Sequence, residues 1–258
     1  MKQMRWMAAL LVSLMASSCA TMKAPPPLRV GVTPNYPPLI MRQGGKLAGA
    51  ECDFAAQLAA ELGRPLQLVP VPWELQFEEL EANRIDVVMS GMTITPARQA
   101  RAAFCEPYMD NPLVAVVRRG EAGRFASAAA VLETTSGIGV LRGTSADAFA
   151  RRRCTRAKVL PLSTRDDVAF YLVNQRIDLY VDDLAAAVQI VTQDESRLEL
   201  VRSPLEAQQL AWAVRQGDDE LRGQANAALA RWRANGWLEQ TLNSWMPYLQ
   251  ALAAAPAK

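Results

Sequence analysis

Short apolar runs alternate with amphipathic segments along most of this chain, and the alternation predicts an α/β fold. Apolar runs bounded by turn residues are typical of buried strands, whereas apolar residues at helical spacing indicate helices that cover a sheet. The predicted strands are 28–32, 66–71, 85–89, 113–117, 139–141, 159–162, 177–181 and 210–214. The predicted helices are 54–62, 77–82, 145–153, 168–174, one that starts near 184, and 219–235. Strands and helices in this order predict parallel sheets with covering helices.

The alternation begins again after residue 117, and this restart predicts two lobes. The second half of the chain repeats the strand–helix order of the first half. The roughly 230 residues that follow the N-terminal segment are enough for two small lobes with a core each. Residues 251–258 are rich in Ala and are expected to be disordered.

The N-terminal segment, residues 1–18, has the pattern of a secretory signal peptide. Lys2 and Arg5 precede the apolar run 7–15, which is too short to span a bilayer. Small residues and then Cys19 follow, as in a bacterial lipobox, which implies that Cys19 becomes the lipidated first residue of the mature chain. Residues 19–27, with three consecutive prolines, would form a stiff tether. The segment therefore predicts a periplasmic lipoprotein that is anchored to a membrane.

A second processing route stays open at the same segment. Ala16 stands where a lipobox usually has a larger aliphatic residue, and Ser18 fits an ordinary signal-peptidase site that would cut after Ala20. This route would give a soluble periplasmic protein. Both routes predict export.

Charge and histidine content remove several classes of function. Lys and Arg number 28 against 26 Asp and Glu, and loss of residues 1–18 removes two cations, which leaves 26 of each sign. A neutral mature chain lacks the basic surface that nucleic acid requires, so no nucleic-acid partner is expected. The chain has no histidine, which excludes Ser-His-Asp catalysis and histidine-based metal sites.

The cysteines indicate neither a metal cluster nor a defined disulfide framework. Cys52, Cys105 and Cys154 are left after Cys19, and none of them forms a CxxC pair. We therefore expect no metal and no cofactor. A bridge between Cys105 and Cys154 stays open from the sequence.

Residues 90–98 form the most informative local pattern. They follow the apolar run 85–89, and Thr95-Pro96 is a strong signal for the start of a helix. A strand–loop–helix turn of this kind directs free backbone N–H groups to one spot, where the Arg98 guanidinium can grip a carboxylate. The pattern therefore predicts a site for a small anion. Its alternative is a capped helix with an early Arg that is purely structural.

Ten segments spread over the chain carry a joint resemblance to a known family. In order they are 28–31, 36–38, 49–53, 71–73, 83–86, 90–98, 104–108, 139–145, 176–183 and 235–237. Together they resemble family 3 (polar amino-acid) extracellular solute-binding proteins of ABC importers. The resemblance implies a type II periplasmic-binding-protein fold, in which each lobe is a sheet covered by helices and two strands form a hinge. Domain 1 would comprise 28–112 plus 208–258, and domain 2 would comprise 113–207. A ligand would lie between the lobes and close them.

The resemblance also implies roles for individual residues. Arg98 matches the arginine that clamps the α-carboxylate of an amino acid, with backbone N–H groups near Thr93 and Ser145 completing the anion site. Thr144 opens the first helix of domain 2. Asp183 matches the acid that takes the α-ammonium group. A bound zwitterion would then join Arg98 of one lobe to Asp183 of the other.

The resemblance implies further contacts with the ligand. The carbonyl of Ser90 or Gly91 and the Thr93 hydroxyl would assist Asp183 in holding the ammonium group. Tyr36 and Trp73 match the aromatic walls around the ligand side chain. The other implied contacts are Met92 and Leu141.

The same residues have structural alternatives. Asp183 follows a strand and could cap the next helix, and Asp182 competes with it for the binding role. Tyr36 and Trp73 could belong to the core.

Departures from the cationic amino-acid binders narrow the expected ligand. Thr33 occupies the place where those proteins carry an aspartate for the charged ligand side chain, Leu39 replaces a common phenylalanine and Gly91 a common serine. We therefore expect a neutral polar or apolar amino acid. The implied partners are an ABC permease and, through Cys19, the membrane, and the protein is expected to be a monomer.

Two other functions stay open on this fold. A cyclohexadienyl (arogenate or prephenate) dehydratase would use a carboxyl group of the cleft as general acid, with Asp183, Glu51 or Glu74 as candidates. Against it, Asp183 beside a ligand ammonium is expected to be ionised and therefore a poor acid. A stand-alone ligand-sensing domain is the other alternative.

Overall fold

The computed structural model describes residues 24–248, which fold as two sheets covered by helices. The strands are β1 (Leu28–Val32), β2 (Met41–Gln43), β3 (Lys46–Ala48), β4 (Leu66–Pro70), β5 (Val87–Val88), β6 (Ala102–Phe104), β7 (Met109–Asp110), β8 (Leu113–Arg118), β9 (Gly137–Leu141), β10 (Lys158–Leu162), β11 (Leu179–Asp183), β12 (Leu198–Glu206), β13 (Gln209–Leu210) and β14 (Ala213–Arg215). The helices are α1 (Ala50–Glu61), α2 (Gln76–Glu81), α3 (Pro96–Gln99), α4 (Ala128–Leu132), α5 (Ser145–Arg153), α6 (Val168–Val173), α7 (Leu184–Gln193), α8 (Asp219–Ala234) and α9 (Trp237–Trp245).

Five sequence predictions lie wholly or partly outside the described residues. They are the signal peptide 1–18, the lipidation of Cys19, the alternative cleavage after Ala20, the tether 19–27 and the disordered tail 251–258. Among the helices of residues 24–248, none combines the length and the apolar character needed to cross a membrane.

The two sheets have the same internal arrangement. One has the strand order β4-β1-β5-β14-β6 and the other β10-β9-β11-β8-β12, with five strands each. In each sheet the first three strands are parallel, and the two strands that follow run antiparallel to their neighbours. We call the part built on the first sheet the first lobe and the part built on the second sheet the second lobe.

The chain passes between the sheets twice, and the two passages pair with each other. It leaves the first sheet after β6 and returns to it after β12, and β7 and β13 form a short antiparallel ladder between these points. We propose that this ladder is the hinge and that the domain limits at residues 112/113 and 207/208 lie there.

The structure differs from the sequence prediction in the type of sheet. Both sheets are mixed, because β8, β12, β6 and β14 run antiparallel to their neighbours. β12 was not predicted, since its sequence LELVRSPLE places charged residues and a proline among the apolar ones. It lies at a sheet edge, where such residues are tolerated.

The strand predicted at 210–214 is divided between two sheets. Leu210 ends β13, and β14 begins at Ala213. Between them the backbone N–H of Ala211 donates to the carbonyl of Met92 and the Trp212 carbonyl accepts from Cys105 N–H. The apolar run is continuous in the sequence because both its strands and the link between them are buried.

Each lobe has its own buried core, and the cysteines are divided between these cores. Cys105 belongs to the core of the first lobe and Cys154 to that of the second. Both are free thiols, as is Cys52. The bridge between Cys105 and Cys154 that the sequence left open is therefore absent.

A buried carboxylate, Glu51, ties the core of the first lobe to the loop after β5. It is 0 % exposed and accepts hydrogen bonds from the backbone N–H of Gly91 (2.7 Å), the Tyr108 hydroxyl (2.7 Å) and the Trp212 indole N–H (2.9 Å). Burial raises the pKa of Glu51 to about 7, against the effect of these three donors. Ionisation of Glu51 therefore destabilises the folded protein, whereas the hydrogen bonds that it accepts stabilise it.

Glu51→Gln is expected to destabilise the protein by about 1–3 kcal/mol at pH 5, because an amide cannot accept from all three donors and the indole N–H loses its acceptor. The folded-state pKa of Glu51 lies above its unfolded value, so its protonated form stabilises the fold at low pH, and this contribution is lost as pH rises through about 7. The stability gap between wild type and variant should therefore shrink between pH 5 and pH 8 in urea unfolding. A gap that widens over this range would contradict the assignment.

Candidate ligand-binding site

A cavity of about 160 Å³ lies between the two lobes. Its lining residues are Asn35, Tyr36, Trp73, Glu74, Ser90, Gly91, Thr93, Arg98, Leu141, Arg142, Thr144, Ser145, Ser163, Arg165 and Asp183. Within residues 24–248 no cluster of three or more His, Cys, Asp or Glu side chains is placed to hold a metal ion.

The lining residues come mostly from the carboxyl ends of the parallel strands. On the first lobe they follow β1, β4 and β5, and on the second lobe they end or follow β9, β10 and β11. Loops at the carboxyl ends of parallel strands converge on one edge of a sheet, which is where ligands bind in open α/β folds. The two sheets turn these edges toward each other across the cavity.

Arg98 supplies the cationic side of the cavity from the first lobe. The Thr95 side chain caps α3 by accepting from the backbone N–H of Arg98 (3.3 Å), and the Arg98 Nη1 donates to the Thr93 carbonyl (2.9 Å). Its guanidinium carbon lies 5.0 Å from the centroid of the Trp73 ring. Among the described residues no carboxylate lies within 4.0 Å of it. Burial without such a partner lowers the pKa of Arg98 to about 10, so it stays charged at neutral pH.

Asp183 supplies the anionic side from the second lobe. It ends β11 and caps α7, since its Oδ1 accepts from the backbone N–H of Ala186 (3.0 Å). Burial first, and then the neighbouring Asp182 carboxylate, raise the pKa of Asp183 above its usual range, while Arg165 opposes the shift. The structure thus gives Asp183 its capping role and a place on the cavity at once.

Asp182 points away from the cavity. Its two oxygens accept from the guanidinium of Arg165 (2.8 and 3.3 Å), and one of them also accepts from the Tyr180 hydroxyl (2.7 Å). Successive side chains of a strand face opposite sides, which separates Asp182 from Asp183.

Both aromatic residues predicted as walls line the cavity, and each carries an arginine on its ring. Tyr36 is 5 % exposed, and the guanidinium carbon of Arg165 lies 4.6 Å from its ring centroid. Trp73 is half-buried and faces Arg98 in the same way. Cation–π contacts of this kind hold each guanidinium against its wall.

The lobes also contact each other directly beside the cavity. The Trp73 indole N–H donates to the carbonyl of Gly143 (3.2 Å), and the hydroxyls of Thr93 and Ser145 lie 3.4 Å apart. Ser145 in turn donates to Gln208 (2.8 Å).

The backbone conformation at position 91 and the nearby Tyr36 ring both require a glycine there. Its φ is +62°, a left-handed conformation that side chains rarely adopt, and a Cβ placed there would lie 2.4 Å from the ring of Tyr36. A serine at position 91 would therefore clash with the Tyr36 ring in this arrangement.

Met92 does not line the cavity, unlike the other residues predicted from the resemblance. Its side chain is 1 % exposed and belongs to an apolar cluster with Val71, Leu80 and Ile85. Its carbonyl accepts from Ala211 N–H, so both its side chain and its carbonyl are committed to the fold.

Thr33 and Glu51 also lie outside the lining. The Thr33 hydroxyl donates to the Val71 carbonyl (2.8 Å) and accepts from Gln76 (2.8 Å), in a buried polar cluster behind the wall. Glu51 lies behind Gly91. Of the carboxyl groups considered as a general acid, Asp183 and Glu74 line the cavity.

Four lining residues have no counterpart among the sequence predictions, and Glu74 was considered only as a general acid. The four are Asn35, Arg142, Ser163 and Arg165. Asn35 and Arg142 adjoin predicted residues. Ser163 and Arg165 follow β10, and the rule that ligands bind at the carboxyl ends of parallel strands is the signal that could have found them.

Comparison with known proteins places this geometry in a family. The family model for bacterial extracellular solute-binding proteins, family 3, matches residues 28–248. The L-cystine-binding protein TcyJ of Escherichia coli (strain K12) is 30% identical over 221 residues, which cover 84% of this chain and 82% of that protein. The putative ABC transporter arginine-binding protein 2 of the same strain is 26% identical over 244 residues, with 92% and 97% covered.

A solved structure supports the same placement at the level of the fold. The ancestral amino acid-binding protein AncCDT-1, described as a precursor of cyclohexadienyl dehydratase, matches with a TM-score of 0.77 and 27% identity, covering 84% of this chain and 94% of that one. The two-lobed architecture is that of type II periplasmic binding proteins. The chain therefore belongs to the bacterial extracellular solute-binding proteins, family 3.

Proposed function

We propose that this protein captures a small amino acid between its two lobes and delivers it to an ABC importer. The observation that carries this proposal is the pair of charges on the cavity. Arg98 of the first lobe and Asp183 of the second face one space, and neither has an oppositely charged partner within 4.0 Å among the described residues. A zwitterion supplies the missing partner of each.

The carboxylate end of the ligand is assigned to Arg98. A guanidinium can donate two parallel hydrogen bonds to a carboxylate. Such a partner stabilises a buried guanidinium more than an exposed one. Thr93 and Ser145, whose hydroxyls lie 3.4 Å apart beside the cavity, are placed to add donors from both lobes. The Thr144 cap fixes the start of α5 on the same side.

The ammonium end is assigned to Asp183. A cation beside this carboxylate would lower its pKa again and favour the ionised form that burial disfavours. Because one charge sits on each lobe, the ligand contacts both partners only when the lobes are together. Ligand binding therefore favours the closed arrangement over an open one.

A binding role fits this site better than catalysis. A dehydratase would need a protonated acid at the reacting group, whereas Asp183 would be ionised beside the ammonium group of arogenate. Glu51 is hidden behind Gly91, which leaves Glu74 as the other candidate that reaches the cavity. Turnover of prephenate or arogenate by the purified protein would overturn this part of the proposal.

Location and partners complete the proposal. We infer export to the periplasm, an anchor through a lipid on Cys19, a soluble periplasmic form if cleavage follows Ala20, and delivery to a permease by a monomer. Metabolic labelling with a fatty acid tests the anchor, since a Cys19→Ala variant should lose the label and membrane retention. Label on that variant would contradict it.

A thermal-shift screen of the common amino acids tests the proposal directly. At least one should raise the melting temperature of the wild type, and Arg98→Ala and Asp183→Asn should each weaken its affinity by about 100-fold or more, since each removes the partner of one ligand charge. Arg101→Ala is the matched control. Arg101 lies just beyond α3 and pairs with Glu81 away from the cavity, so its removal should leave affinity unchanged. If no amino acid stabilises the wild type, the proposal fails.

Trp73→Phe is expected to speed ligand release. The variant keeps an aromatic wall but loses the hydrogen bond to the Gly143 carbonyl that joins the lobes, and one neutral hydrogen bond corresponds to about a fivefold change in affinity. Stopped-flow measurement should place most of that change in the dissociation rate.

Trp245→Phe is the control for this experiment. It removes an indole N–H that donates to Asp53, away from the cavity, and should not alter release. An unchanged dissociation rate in Trp73→Phe would show that the contact contributes nothing to closure.

A further inference from the structure

Besides Arg98 and the exposed Arg142, a third arginine lines the cavity, and the proposed contacts of the α-groups leave it without an assigned ligand contact. Arg165 lies in the turn after β10, on the second lobe, and its side chain is 14% exposed. Charged groups are seldom buried unless they are paired or serve a ligand. Its ion pair with Asp182 accounts for its burial but not for its place on the cavity lining.

The guanidinium of Arg165 lies between the cavity and the Asp182 carboxylate that compensates its charge. Its Nε and Nη2 donate to the two oxygens of Asp182, at 2.8 and 3.3 Å. Asp182 has a 2% exposed side chain and does not line the cavity, whereas Arg165 does. A ligand in the cavity thus meets the positive end of this pair first.

One amino group of the guanidinium remains available. Nη1 makes no hydrogen bond to the described residues, and it is not one of the fully buried polar atoms that lack a partner, so it keeps access to solvent. A guanidinium donates and never accepts. The free group therefore suits an oxygen acceptor.

The contact with Tyr36 fixes the position of the Arg165 guanidinium in the cavity. The guanidinium carbon lies 4.6 Å from the centroid of the Tyr36 ring, and Asn111 donates to the hydroxyl of that ring (2.9 Å). Tyr36 is a wall of the cavity, so Arg165 is fixed against the same wall. The ligand side chain would meet it there.

We propose that Arg165 determines the side-chain specificity of this protein: it selects ligands whose side chain carries an oxygen acceptor and rejects ligands whose side chain is cationic. This inference rests on the proposed function, since it assumes that Arg98 and Asp183 hold the α-groups of an amino acid. A hydrogen bond from a charged donor corresponds to about a 10- to 100-fold gain in affinity. A cation at the same place meets like charge instead.

Two pairs of amino acids of similar length test the inference by calorimetry. Citrulline ends in a neutral group with a carbonyl oxygen, and arginine has nearly the same shape with a cation and no acceptor. Glutamine and ornithine form a shorter pair. For at least one pair the wild type should bind the neutral member at least about 10-fold more tightly.

Three variants separate the charge of Arg165 from its structural role. Arg165→Gln/Asp182→Asn removes both members of the ion pair, so that no buried carboxylate is left to attract a cation, and it should abolish the discrimination. Arg165→Lys keeps the positive charge and should still reject arginine and ornithine. Arg152→Gln is the control, because Arg152 pairs with Glu206 outside the cavity lining and its loss should preserve the wild-type preference.

The outcomes distinguish this inference from the proposed function. Equal affinity of the wild type for both members of each pair, or binding only of amino acids without a side-chain oxygen, would overturn the role of Arg165. So would full discrimination in the Arg165→Gln/Asp182→Asn variant. Failure of every amino acid to bind would instead overturn the proposed function itself.

Discussion

Two charges of opposite sign on opposite lobes, Arg98 and Asp183, are the constraint on which the rest of this structure depends. Each is held by its own lobe through hydrogen bonds to the backbone, and neither has an ionic partner within 4.0 Å among residues 24–248. Burial shifts both pKa values toward the neutral forms, downward for Arg98 and upward for Asp183. A molecule with a carboxylate and an ammonium relieves both costs together.

Hydrogen bonds from the surrounding elements fix the positions of Arg98 and Asp183. Glu51 fixes the backbone of Gly91 in the loop that leads to Arg98, from a position inside the first core. Asn111, at the passage between the sheets, donates to the Tyr36 hydroxyl and accepts from the backbone N–H of Ala185 at the start of α7. One side chain at the passage thus links the wall of the first lobe to the helix that Asp183 caps.

Local sequence signals were enough to predict those parts of the site that lie within one short segment of the chain. The hydroxyl–proline pair before Arg98 predicts the helix start, and the structure shows Thr95 as its cap. Asp183 could be read as a helix cap or as a ligand contact, and it caps α7 while also lining the cavity. The side chain of Met92 could not be oriented in this way, because a loop has no fixed periodicity, and it packs into the core.

Features that depend on distant segments could not be predicted. Arg165 follows a predicted strand and was therefore a possible cavity residue, but its ion pair with Asp182 joins positions 17 residues apart and has no local signal in the sequence. The antiparallel strands were missed for a similar reason. Strand direction is set by the passages between the sheets, and an apolar run such as 113–117 looks the same in either direction.

Calorimetry with matched analogues of the bound amino acid tests most directly whether the ligand joins the lobes as a zwitterion. The α-hydroxy acid with the same side chain lacks the ammonium group, and the corresponding primary amine lacks the carboxylate. Each should bind at least about 100-fold more weakly than the amino acid, because each leaves either Asp183 or Arg98 buried without its partner. An analogue with a single charge that binds as tightly as the amino acid would contradict the bridging of the two lobes.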